Sequence, residues 1–64
     1  MIKEHDKVKL MTGEIARISE VLKAEVAFVA EVYKEDGGVS VEPINIEDIK
    51  SVFTETETLI AHAG

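Results

Sequence analysis

The run Asp6-Lys7-Val8-Lys9-Leu10-Met11-Thr12-Gly13-Glu14-Ile15-Ala16-Arg17-Ile18 limits what this chain can fold into more than any other part of it. Val8 and Leu10 alternate with lysines, the period-two signature of a strand with one covered face. Thr12-Gly13 then offers a turn, and Ala16 and Ile18 open a second alternation at once. The chain is therefore expected to begin as two antiparallel strands joined by a tight connection.

Sixty-four residues allow one domain, and a chain of this length is marginal when it folds alone. It contains no cysteine, so neither a disulfide nor a thiolate metal site is available. Lys3, Glu4, His5, Asp6 and Lys7 interrupt any apolar run of the secretory kind near the start. Val26 to Ala30, the longest apolar run, is far shorter than the roughly 20 residues of a membrane span. The expectation is a cytoplasmic protein with no membrane association.

Charge is unevenly spread. Residues 1–23 carry five cations against four acids, a net of +1, whereas residues 24–64 carry two cations against nine acids, a net of −7. Nonspecific nucleic-acid binding needs cations for phosphates, so this balance disfavours it. A solvated acidic face or one that docks on a basic protein fits better.

Residues 14–34 admit two readings. Ile15, Ile18, Leu22, Val26, Val29 and Tyr33 fall at helical spacings, and no Gly or Pro interrupts them. Against this, Val26 to Tyr33 is rich in Val, Phe and Tyr, which strands favour. The Asp36-Gly37-Gly38 segment that follows is a strong hairpin signal, because Gly supplies positive φ. The strand reading is preferred, with Lys23-Ala24-Glu25 as a connection lacking Gly, Asn or Pro. Val39, Val41 and Ile44 continue as a strand that ends near Pro43. Asn45-Ile46-Glu47-Asp48-Ile49 reads as a short helical turn capped by Asn45, before a last strand over 50–53.

The fold class is thus all-β, with strands predicted over 6–11, 14–22, 26–34, 38–44 and 50–53. Val8, Leu10, Ile18, Phe28, Val32, Val41 and Ile49 are the expected core, and Gly37 or Gly38 should take positive φ. One domain over 1–58 would be followed by a tail, 59–64. The order of elements resembles the small five-stranded SH3-like barrels, with a short helical turn before the last strand, and in its opening the KOW-type domains. Asp6, Val8 and Leu10 carry the first strand of that resemblance, Gly13 its turn, Ile18 and Val21 the second strand, and Ile46-Glu47-Asp48-Ile49 the late turn. The layout is also similar to short uncharacterised bacterial proteins of phage or mobile-element type. The resemblance implies a barrel and, through KOW, an association with nucleic acid.

No constellation for catalysis emerges. His5 and His62 sit near opposite ends, Ser19, Ser40 and Ser51 lack a nucleophile context, and the paired acids lack the spacing of a calcium loop. Gly13, Gly37 and Gly38 precede no Lys-Ser/Thr pair, so there is no phosphate loop. Phe28, Tyr33 and Phe53 are the only aromatics, few for a base-stacking surface. No enzyme, metal or cofactor is expected. The expected role is a small protein-interaction module, an accessory or inhibitory factor of a phage or mobile element, whose partner-binding acids are Glu47, Asp48, Glu55 and Glu57. The alternative is a KOW-like nucleic-acid module using Lys3, Lys7, Lys9, Arg17 and Lys23. A marginal core and Leu59-Ile60 in the tail also point to a homodimer through the 26–34 strand face or the 52–60 segment.

Overall fold

A computed structural model describes residues 1–53. They form five strands, β1 (Lys7–Leu10), β2 (Ile15–Lys23), β3 (Ala27–Tyr33), β4 (Val39–Asn45) and β5 (Ile49–Phe53), with one 3-10 turn, Ile46–Asp48, between the last two. All pairings are antiparallel, in one sheet of order β4-β3-β2-β1-β5. The first four strands form a meander, and β5 returns to pair with β1. Residues 14–34 are two strands, as the β-branched and aromatic content of 26–33 implied, and not a helix. β4 and β5 share no ladder, so hydrogen bonds do not close the sheet into a cylinder.

One face of the sheet holds the core. Val8, Ala16, Ile18, Phe28, Ala30 and Val32 are fully sealed from solvent, and Leu10 and Ile44 nearly so, in one contiguous cluster. They stand on one face because register places Val8 beside Ala16, Ala16 beside Val32, Ile18 beside Ala30 and Phe28 beside Ile44. Register shifts at Ile18/Glu20 and Val21/Lys23 mark two irregularities in β2, the longest strand. Extra residues of this kind bend a strand and increase its twist, which lets one sheet wrap its own inner face. Ile2 completes the cluster from the N-terminal segment, held where its N–H donates to Glu25 Oε1 at 3.0 Å.

The turns follow local chemistry. Gly37, not Gly38, takes positive φ, at +91°, while Gly38 N–H donates to Asp36 Oδ1 at 2.8 Å. Gly13 does the same job after β1, at +96°. The Gly-free connection after β2 is closed by Val26 N–H to Lys23 O at 2.9 Å, with Glu25 at φ +62° in the place Gly or Asn usually fills. Before β5, Asn45 N–H donates to Asp48 Oδ2 at 2.8 Å, the reciprocal half of a cap at Asn45.

Two core expectations are corrected. Val41 is 66% exposed, because Pro43 and Ile44 are adjacent: Ile44 points inward opposite Phe28, which turns Val41 outward with Pro43. Ile49 is only half-buried and packs at the edge of the cluster. Ile2, Ala16, Ala30 and Ile44 take core places that the alternation alone had not assigned.

Phe28→Ala should cost about 3–5 kcal/mol in urea unfolding, whereas Val41→Thr should stay within about 0.5 kcal/mol. Equal losses at the two sites would contradict the inward and outward assignment. Gly37→Ala should cost about 1 kcal/mol or more, because φ +91° strains any side chain. Gly38→Ala should cost less, since only the movable Asp36 carboxylate, 3.0 Å from the new Cβ, has to shift.

Candidate functional site

The outer face of the sheet is composed by the same alternation that fills the core. Register aligns Phe53, Lys7, Arg17, Glu31 and Val41 in one row across all five strands. The neighbouring row reads Ser51, Lys9, Ile15, Tyr33 and Val39. Val29 and Pro43 continue the face over β3 and β4. Tyr33 is 38% exposed, Val39 56% and Phe53 45%, so with Val41 they leave apolar surface open beside the charged residues of the face.

Its charges are ordered by their neighbours. Lys7 Nζ sits 5.2 Å from the centroid of the Phe53 ring, a cation–π contact across β1 and β5. Arg17 Nη1 donates to the His5 carbonyl at 3.0 Å, which draws the guanidinium toward the N-terminal segment. His5 holds φ +74° there, its N–H donating to Ile18 O at 2.8 Å. Of the five basic residues named from sequence, Lys7, Lys9 and Arg17 share these two rows, and Lys23, beside Ala27, lies on the same face farther along β2, as does Glu20 beside Val29. Lys3 lies in the N-terminal turn, its N–H on Asp6 Oδ2, and Lys23 ends β2.

The acidic candidates are dispersed differently. Asp48 uses a carboxylate oxygen on the Asn45 amide, and its exposed neighbour Glu47 lies in the same 3-10 turn. Glu55, Glu57 and the Leu59-Ile60 tail lie outside the described residues. Among the described residues no polar or charged side chain is buried, and no group of three or more His, Cys, Asp or Glu is placed to hold a metal.

A second electrostatic feature sits at the end of the inner face. Glu14, Lys34 and Glu42 fall on the inward side of the alternation, next to the apolar rows. Lys34 Nζ lies 3.1 Å from Glu14 Oε2 and 3.1 Å from Glu42 Oε2. Thr12 Oγ1 donates to the other oxygen of Glu14 at 3.0 Å, so the β1–β2 turn, β3 and β4 meet on one ammonium. The hydrogen bond from Lys34 holds both carboxyls below their ordinary value, and the two carboxylates raise Lys34 above its own.

These directions fix the pH response. The carboxylates' contribution is present above the ordinary glutamate value of 4.5 and fades as pH falls through their lowered values. Lys34's contribution is present below the ordinary lysine value of 10.5 and is lost as pH rises through its raised one. Lys34→Met should therefore be less stable than the wild type at pH 7, with a deficit that shrinks below pH 4.5 in urea unfolding. A deficit independent of pH would mean that Lys34 acts through packing alone.

Neither family models, nor curated proteins, nor solved structures match this chain, so the reading of its surface rests on the geometry of the outer face itself.

Proposed function

We propose that this protein is a non-enzymatic interaction module built on an SH3-like barrel, and that its binding surface is the outer face of the sheet. The barrel reading is supported by the strand order, with β5 beside β1, by the long irregular β2 and by the 3-10 turn before the last strand. The observation that carries the functional reading is the exposure of Tyr33, Val39 and Val41 together beside Lys7, Lys9 and Arg17. Apolar groups of this size on one strand pair, rimmed by charge, are a common form of protein–protein surface.

A partner meets this surface side-on rather than by adding a strand to β4. The hydrogen-bond alternation set by Lys34 N–H to Gly38 O and Ile46 N–H to Val26 O turns the amides of Val39, Val41 and Asn45 to the free edge. Pro43 has no amide to offer there, and Asn45's is bound by Asp48. As free donors that edge therefore offers strand addition only the Val39 and Val41 amides.

A nucleic-acid module is the second reading, favoured by one observation: three of the five candidate cations fall in the two rows that hold Tyr33 and Phe53. Three phosphate contacts would give a salt slope near −2 on single strands, at about −0.7 per contact. Glu31 in the same row and the net charge of −6 weigh against it.

The test is a photo-reactive benzoylphenylalanine at Tyr33 on the outer face, with the same residue at exposed Glu35 in the hairpin as control. Irradiation in the native cell should give a discrete protein adduct from position 33 and none from 35. Adducts from both positions alike, or from neither, would overturn the assignment of the face.

A further inference from the structure

We propose that the outer face over β3 and β4 docks an amphipathic helix of a basic partner, lying along β4. The inference rests on the reading of the outer face as the binding surface, and it names the chemistry of what that face binds. Val39, Val41 and Pro43 follow one another at every second residue of β4, all exposed, with Tyr33 beside the first and Val29 beside the last on β3. Together they make an apolar stripe that runs with the strands, and Glu31, beside Val41, is its one charged member.

The charge around the stripe selects a basic partner. Lys34 is the one cation of residues 27–47, and its ammonium lies between Glu14 and Glu42 at the end of the inner face. The other acids of that ribbon are Glu31 within the stripe, Glu35 and Asp36 at its hairpin end, and Glu47 in the 3-10 turn past its other end. Arg17, the neighbour of Glu31 across the β2–β3 ladder, is drawn to the His5 carbonyl instead. Lys7, Lys9 and Lys23 stand on β1 and β2, off the stripe. A partner helix with Lys or Arg flanking an apolar seam therefore meets Val39, Val41 and Pro43 with its seam and Glu31 with a flank.

Backbone chemistry and curvature select a helix. An extended segment laid on the stripe would set its amides and carbonyls against Val and Pro side chains, and the β4 edge has few donors to pair them. A helix satisfies its own backbone. Alternate residues of a strand stand about 6.8 Å apart, and residues i and i+4 of a helix about 6 Å, so side chains at i, i+4 and i+8 reach Val39, Val41 and Pro43 in turn. The single sheet seals its own inner face, so its outer face is convex across the strands and a flat partner surface would part from it at the edges. A cylinder laid along one strand keeps contact at every row.

The probe is an amphipathic helical peptide of leucine, alanine and lysine, with leucine at i, i+4 and i+8 and lysine on both flanks, titrated with the full chain by fluorescence anisotropy. Binding should saturate, and a scrambled peptide of the same composition should bind at least about tenfold more weakly. Val39→Ser combined with Val41→Ser should weaken binding at least about tenfold, and Glu31→Lys as much, each with the circular dichroism of the wild type. Glu4→Lys, the same change of net charge in the N-terminal turn, should stay within about twofold. Equal binding of the scrambled peptide, an unchanged serine double variant, or equal weakening by Glu4→Lys reduces the attraction to net charge and overturns the docking site. Preference for a peptide with glutamate in place of lysine overturns the basic partner in favour of the cations of β1 and β2. A dimer in sedimentation that excludes the peptide puts a second copy on the stripe, with the same result. If no peptide binds at millimolar concentration the basic helix falls: a position-33 adduct then keeps the face, and its absence removes both readings.

Discussion

β3 holds the molecule in register. Its inward residues Phe28, Ala30 and Val32 are fully sealed, and it is hydrogen-bonded on both sides, to β2 and to β4. A slip of one residue would carry Val29, Glu31 and Tyr33 into the core and Phe28 into water. Burying the Glu31 carboxylate without a partner would be prohibitive, so the penalty falls on every register shifted by an odd number of residues. The inner face, the ion triad at its end and the two outer rows all inherit their positions from this one strand. The small residues Ala16 and Ala30 leave room for Phe28 and Ile18 in a core drawn from few strands.

Much of this was legible in the sequence, and its failures have physical reasons. The opening pair of strands, the Asp-Gly hairpin and the late helical turn were readable because each has a local cause in alternation, positive φ or a cap. Val41 was misplaced because Val39, Val41 and Ile44 look like one apolar series, although the last two are three positions apart and a strand repeats every two. Ile2 was missed because a lone apolar residue before a charged segment has no period. What recruits it is distant, the carboxylate of Glu25 in the connection after β2. The same Glu25 closes that connection at positive φ without glycine, so composition gave no sign of the turn.

The surface was less legible than the core. The cations of the first 23 residues could be named, yet only parity and pairing decide that Lys7, Lys9 and Arg17 fall in two adjacent rows of one face, while Lys23 lies at the far end of that face and Lys3 in the N-terminal turn. The apolar half of that face was invisible for a related reason: an outward strand face is expected to be polar, and Tyr33, Val39 and Val41 were counted toward the interior or left unassigned. Asp48 reads as one acid among many until its carboxylate is seen on the Asn45 amide. Acidity here is partly architecture, since Glu14, Glu25, Glu42 and Asp48 each hold a donor of the fold.

The strand order also has a kinetic consequence. Three of the four pairings join consecutive strands and close short loops, which form quickly. The fourth, between β1 and β5, joins the first strand to the last and must wait until nearly all of the described chain is present. During synthesis β1 can be held by β2 alone, with the backbone groups of Lys7 and Lys9 that later meet β5 still facing water. The closing of that long loop is the pairing with the greatest sequence separation and so the largest closure entropy, and the Lys7–Phe53 contact, at the far end of the same ladder, reports when it has happened.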